Sequence, residues 1–554
     1  MHNLARNGCR RVGNAGTREK GKPRASALCR FNAAVFLAAC LLFAAGRLGL
    51  GQEAHDPLLD LMIQKGMITQ EEARKVQAEA DAKLTNAITH AMSSMDSKWD
   101  IGKAVKRLEL YGDIRLRYEY REARTPPGAR IEQDRGRYAL RLGLRGDLLD
   151  DVYFGLRLET SSNPRSPWVS FGQSSVTYAN GTSGSAPFGK NNNTINLGQA
   201  YIGWRAGDWL DLTAGQMPNP MYTTPMVWDP DLNPTGAAER FKYTIGNADL
   251  FATFGQFLYQ DNGPTYISSS LVPYVASSTR QETSTDTTFL LAWQGGVNYR
   301  FTEGISAKAA GSVYDYIGLV TNAITPGYSG SIGDTFIGEG AYGGKNSVAP
   351  FNGLTSENGV FYNQVGVANL LILEVPAEVN FKIGKLNTRV FGDYAYNLDG
   401  QQRARAAVKA LTAQNQLQQP PGSPPLLSYG PQTGDVSAYQ IGLAIGNGDK
   451  LGLATGSVVK KNTWELRSYW QHIGQYALDP NLLDSDVFEG RGNLQGVVVA
   501  LAYGFTDNLI ATVRYAHATR INDKVGTGGS NLDTPQLNPI QQYNLLQLDL
   551  TLKF

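Results

Sequence analysis

Fourteen residues, RLELYGDIRLRYEY at 107–120, alternate so strictly that few folds stay open to the chain. Leu108, Leu110, Ile114, Leu116, Tyr118 and Tyr120 fall on one face of an extended strand. Arg107, Glu109, Asp113, Arg115, Arg117 and Glu119 fall on the other. The pattern recurs at once: Tyr138, Leu140, Leu142 and Leu144 alternate with Arg137, Arg141 and Arg145. After the turn DLLDD, Val152, Phe154, Leu156 and Leu158 alternate with Tyr153, Arg157 and Glu159. Two such strands joined by a tight polar turn make an antiparallel hairpin. A sheet divided in this way needs an oily medium on one side and water on the other. In a soluble sandwich a second sheet supplies the oil, but nothing makes the remaining face rich in arginine. In a bilayer one face meets lipid and the other a water-filled lumen, and closure removes strand edges that lipid cannot satisfy.

The same criterion predicts thirteen further strands, near 194–205, 209–217, 239–245, 249–258, 287–301, 304–314, 371–384, 386–397, 436–446, 461–472, 491–505, 508–519 and 543–554. The total is sixteen, or eighteen if 315–370 contains another hairpin. Connections such as AGD, GNA, TE and TD are tiny. Those at 162–193, 218–238, 259–286, 315–370 and 398–435 are long and rich in Gly, Ser, Asn and Pro, so one rim is trimmed and the other elaborated. Residues 107–554 are therefore expected to form an all-β, transmembrane antiparallel barrel whose lumen is an aqueous channel. Composition agrees: 61 glycines and 27 tyrosines favour strands and turns. With a mean hydropathy of −0.28 and one long apolar block, a bundle of membrane-spanning helices is excluded.

That apolar block, FNAAVFLAACLLFAA at 31–45, lies in a segment with nine Lys or Arg and one acid, and small residues follow it. Residues 1–51 are read as a secretory signal. All three cysteines, Cys9, Cys29 and Cys40, lie within it, so the exported chain has neither a disulfide nor a thiolate site. Taking nine bases from 51 and one acid from 49 leaves 42 basic and 48 acidic residues, a net charge of −6 that gives a nucleic-acid partner no footing. Residues 52–106 are read as a periplasmic helical segment. Thr69 and Glu72 form a capping box, and Ala73, Val76, Ala80, Leu84, Ala87, Ala91 and Met95 draw one narrow seam. The seam serves either packing against the protein itself or a coiled-coil stalk that joins three copies as a homotrimer.

Alternation directs Arg115, Arg117, Arg141, Arg145, Arg157, Arg300, Arg389, Arg467 and Arg514, with Lys308, Lys382 and Lys553, to the lumen. It also directs there Glu109, Asp113, Glu119, Glu159, Glu374, Glu378, Asp393, Glu465 and Asp549, giving twelve bases against nine acids. These charges either cross-pair on neighbouring strands or leave a basic wall on the first three strands that favours anions mildly. The loop at 218–238 follows the fifth strand and carries Tyr222, Trp228, Asp229 and Asp231, with Met217, Met221 and Met226 beside them. It is a candidate constriction if it folds inward, and a rigid external loop if it does not. Neither His472 nor His517 belongs to a nucleophile or metal spacing, so no enzyme activity, cofactor or metal is expected. At the C-terminus Leu546, Leu548, Leu550, Leu552 and Phe554 alternate with Gln547, Asp549, Thr551 and Lys553. This resembles the terminal strand by which outer-membrane barrels are recognised, and it makes Phe554 a candidate signal for the barrel assembly machinery.

Three pieces, LLDLMIQKGMITQEEA, LELYGDIRLRYEY and LTAGQMPNPMYTTPMVWDPDLNPTGAAERF at 212–241, resemble the putative porins of Gram-negative outer membranes, which carry a short helical segment before the barrel. The resemblance implies a channel of about sixteen strands in outer-membrane lipid, passing small hydrophilic solutes or ions, without enzymatic activity. The competing function is a structural or adhesive surface protein whose long loops bind a partner.

Overall fold

The computed structural model describes residues 104–124, 128, 130–161, 166–172, 176–177, 183–184, 194–260, 288–317, 370–405, 435–523, 527 and 540–554, together with 65, 69 and 75. The expected signal at 1–51 and nearly all of the helical segment at 52–106 lie outside the described residues.

Sixteen antiparallel strands follow in chain order: β1 (Val105–Arg124), β2 (Arg130–Leu148), β3 (Val152–Ser161), β4 (Thr194–Gly207), β5 (Leu210–Gln216), β6 (Thr235–Ile245), β7 (Ala248–Gln260) and β8 (Thr288–Thr302) come first. Then come β9 (Ile305–Ile317), β10 (Leu371–Ile383), β11 (Leu386–Asn397), β12 (Ser437–Gly446), β13 (Trp464–Ile473), β14 (Leu494–Gly504), β15 (Leu509–Arg520) and β16 (Gln542–Lys553). Each pairs with the next, and β16 pairs with β1 from Asp113↔Lys553 to Arg124↔Gln542, so the sheet closes. Because β9 pairs directly with β10, no strand stands between them and the ring has sixteen members, not eighteen. Closure leaves no edge, as hydrocarbon requires.

The outward face carries Leu110, Ile114, Ile202, Trp204, Tyr243, Trp293, Val375, Ile441, Leu501 and Leu552, all exposed, as lipid-facing side chains must be. Opposed charges fall on the inner face: Asp113 lies between Lys553 on β16 and Arg141 on β2. A bulge shifts the register of β4 against β3 at Gly198, which exchanges odd for even outward positions, so Ile195 and Leu197 below it and Ile202 and Trp204 above it all face out. The seam needs a glycine. The Phe554 amide donates to the Gly112 carbonyl and the Gly112 amide to the Phe554 carbonyl, and a Cβ at Gly112 would stand 2.7 Å from the Phe554 ring.

The largest differences from the sequence reading are three. β1 and β2 run on to Arg124 and back from Arg130, where Glu122, Arg124, Arg130 and Glu132 break the apolar alternation but keep the ladder. β6 begins at Thr235 rather than 239, because TGAA offers no alternation to read although its residues pair with both β5 and β7. A two-residue strand, Val169–Ser170, also pairs with the upper part of β2 and carries Trp168 into the interior.

Candidate functional site

Among the long-rim connections described from end to end, 217–234 and 474–493 lie inside the barrel. Residues 217–234 contain four large apolar side chains, Met217, Met221, Met226 and Trp228, that water would leave exposed. They pack on inward-facing Phe257 of β7, Leu290 of β8, Tyr314 of β9 and Ile372 of β10. Trp228 meets Phe257 edge-on with centroids 6.0 Å apart, and its indole N–H donates to the Leu232 carbonyl at 3.1 Å. Polar contacts fix the same segment across the lumen. The Tyr222 amide donates to Gln294, and the Tyr222 hydroxyl donates to Glu378 at 2.9 Å. Thr223 and Thr224 donate to Glu374 and Asp393, each at 2.5 Å. Burial, with the Glu378 charge beside it, raises the Tyr222 phenol above its ordinary range.

The second inner segment, 474–493, follows β13 and holds the first. The Asp229 amide donates to the Leu482 carbonyl at 2.6 Å, and Asp229 accepts from the Ser485 amide and hydroxyl at 3.0 and 2.9 Å. The two segments share one local fold. In Asp229-Pro230-Asp231-Leu232 and Asp479-Pro480-Asn481-Leu482, the aspartate side chain accepts the amide two residues on at 2.9 Å in both. Its carbonyl then accepts the leucine amide, at 3.0 and 3.1 Å. This is an Asx turn stiffened by proline, built twice.

A third element comes from the opposite rim. Where its neighbours are tight turns, the connection 447–463 folds into the barrel. Val459 packs with Ala502 and Ile510, and the Lys553 ammonium donates to the Ser457 carbonyl at 2.9 Å. These elements enclose a cavity of about 280 Å³. Its lining holds Arg115, Arg117, Arg141, Arg389, Arg467, Arg514 and Lys553 against Asp229, Asp231, Asp484, Asp486 and Asp549, seven bases to five acids.

Most of these charges are paired. Arg115 binds Asp113, and Arg117 binds Asp549 at 2.6 Å and Asp486 at 2.9 Å. Arg141 pairs with Asp231, Arg145 with Glu109, Arg157 with Glu159, Arg300 with Asp249, Arg389 with Glu378 and Arg467 with Glu465. The first three strands therefore carry ion pairs rather than uncompensated arginines. Arg514 differs: it donates to Gln547 at 2.6 Å and faces the Asp484 and Asp486 charges. Burial and then the charge of Asp486 push Asp484 up to about 7. Against the cost of its own burial, Asp486 is held down at about 2 by Arg117 and Arg514. Asp229, whose acceptors serve the second segment, is buried, whereas Asp231 reaches the cavity beside Arg141.

Residues 120–554 match a protein family described as putative porin. The chain belongs to the putative porin family. No curated protein matches it. Among solved structures, this porin-family barrel is similar to OmpT, an outer membrane protein of Vibrio cholerae, at 9% identity over 82% of this chain and 100% of that one, TM-score 0.36. It is also similar to the high-pH structure of Pseudomonas putida OprB, at 12% identity over 81% of this chain and 94% of that one, TM-score 0.41.

Within the porin-family chain, sequence reading passed over the segments 474–493 and 447–463. The first was signalled by the second DP-x-L motif, 250 residues after Asp229. The second was signalled by its length on a rim of tight turns.

Proposed function

We propose that this barrel is a porin of a Gram-negative outer membrane, forming a water-filled channel for passive diffusion of small hydrophilic solutes or ions with mild anion preference. The observation that carries the preference is Arg514, a cavity base whose side-chain hydrogen bond goes to neutral Gln547 while the other lining arginines are ion-paired. Such a base lowers the energy of an anion relative to a cation, and at physiological salt the effect reaches about 8 Å. In this reading the rim with short turns faces the periplasm, and 217–234 with 474–493 forms the constriction. Phe554 is the residue that the barrel assembly machinery reads, and the helical segment joins three copies in the periplasm. Deleting Phe554 then reduces membrane assembly without affecting export, and cross-linking of the full-length protein yields trimers.

The direct test is the reversal potential across a planar bilayer in a KCl gradient. Anion preference is expected, falling in Arg115→Gln and Arg514→Gln, whose side chains reach the cavity with fewer partners than Arg117 or Arg141. Clear cation preference in the unaltered protein overturns the selectivity, and absence of conductance overturns the channel.

A further inference from the structure

The inward connection 447–463 ends in an arrangement that a turn does not need. The Gly452 carbonyl accepts from two guanidiniums at once, Arg389 Nη1 at 2.7 Å and Arg467 Nη2 at 2.5 Å. The next carbonyl, Leu453, accepts from Arg467 Nη1. Two adjacent oxygens are thus gripped by two buried arginines. Each arginine is held from behind by a carboxylate, Glu378 or Glu465, and both lie 5.5 Å from the Phe391 ring. Neutral carbonyls are modest partners for such a pair, because guanidinium forks match charged planar oxygens best. Arg389 Nε is buried and makes no hydrogen bond.

The side chain carried by this turn points to a second role. Leu453 is 53% exposed although it stands within the lumen. It lines both the cavity of about 280 Å³ and a second one of about 640 Å³, between Trp209, Arg240, Phe251 and Lys308, and no other described residue lines both. The turn whose carbonyls occupy the arginines therefore also places an apolar side chain between the two chambers.

We propose that Arg389 and Arg467 form a binding site for the carboxylate of a small solute, which the turn 447–463 occupies with its own carbonyl oxygens until the solute displaces it. Displacement withdraws Leu453 and joins the two chambers, so the bound solute opens its own path. The inference rests on the channel reading and deepens it by naming the solute class. An ionised carboxylate replaces two neutral acceptors by one charged one, whose two oxygens match a guanidinium fork in geometry as well as in charge.

The test uses the full-length protein in planar bilayers, with succinate exchanged for chloride at constant ionic strength. Single-channel conductance is expected to rise severalfold and to saturate with succinate. The Arg389→Gln, Arg467→Gln double variant should conduct without saturation. A second variant keeps the idea testable if that one does not fold. Val459 of the same turn packs against Ala502, so Val459→Cys with Ala502→Cys ties the turn to β14. The oxidised form should lose the succinate response and regain it on reduction. A conductance that tracks succinate without saturating, or a response that survives the cross-link, overturns the site but leaves the channel standing. Loss of conductance in every electrolyte overturns both.

Discussion

Asp484 gives a selectivity that pH should tune. It sits at the tip of the second inner segment, lines the cavity, and titrates near 7 because burial and the neighbouring Asp486 charge disfavour its ionised form. Protonating Asp484 removes one negative charge from the lining. An ion passing at roughly 7 Å feels about 0.6 kcal/mol from one charge in water, and screening over a Debye length of about 8 Å reduces this to roughly 0.25 kcal/mol. The anion gains that amount and the cation loses it, so the difference is about 0.5 kcal/mol, against about 1.4 kcal/mol for a tenfold ratio. Between pH 8 and pH 6 most of Asp484 changes state, and the anion-to-cation permeability ratio should rise about twofold.

Reversal potentials in a fixed KCl gradient at pH 6, 7 and 8 measure this directly. Asp484→Asn should behave at every pH as the unaltered protein does at pH 6. A ratio that stays flat across the range refutes the reasoning, as does an equal pH response in the Asn variant. In that case the charge that sets selectivity lies elsewhere in the lumen.

The other expectations concern what holds the interior together. Because the folded pKa of Asp484 is raised from an ordinary 3.8, stability is lost as pH rises towards 7, so Asp484→Asn should melt above the unaltered protein at pH 8, with the gap closing near pH 4. Trp228→Ala removes a side chain that is 4% exposed, at a cost of about 3–5 kcal/mol, and should give larger, noisier conductance steps as 217–234 loosens; unchanged steps would show that the segment does not limit the pore. Arg117→Gln leaves Asp549 without its cation and Asp486 with only Arg514, and should cost about 3–5 kcal/mol, read as a lower unfolding temperature by circular dichroism. Arg115→Gln, at a partly exposed pair, should lower that temperature far less. Gly112→Ala puts a Cβ 2.4 Å from the Arg141 carbonyl and should reduce the folded fraction at the β1–β16 seam; normal yield would mean that the seam adjusts freely.

The barrel wall was legible because lipid and water impose opposite demands at every second residue, and Leu108 to Tyr120 answer them at every position but Tyr111 and Gly112. The interior was less so. Alternation states which way Arg117 points, but its partners are Asp549, 432 residues away on the closing strand, and Asp486 on a segment with no period at all. Pairing of that kind depends on closure, which a local pattern does not encode. Some strands did carry a legible mark of what they cover. FLLAW at 289–293 and LLILEV at 370–375 interrupt the alternation with apolar residues on both faces. Leu290 and Ile372 are the inward members of those runs, and they receive Met226 and Trp228.

That coincidence bears on how the pore is narrowed. A charged inner wall offers nothing for methionine and tryptophan to pack on, so an apolar segment folds inward only where strands supply an apolar inner patch. β7 to β10 supply it, through Phe257, Leu290, Tyr314 and Ile372. On the other side, β1, β2 and β11 to β16 keep Arg115, Arg389, Arg467 and Arg514 directed into the cavity. The two halves of the inner wall therefore divide the work. One carries the apolar patch that seats the inner segments, beside Glu374 and Glu378 that accept from Thr223 and Tyr222. The other stays wet and presents charge to whatever passes. An inward-facing Leu290→Arg tests the division, because it puts charge into the apolar patch without altering the arginine-lined half. If packing on that patch is what seats 217–234, the variant should pass larger neutral sugars in liposome swelling while keeping its anion preference. Unchanged sugar cut-off would mean that the hydrogen bonds of Tyr222, Thr223 and Thr224 hold the segment by themselves.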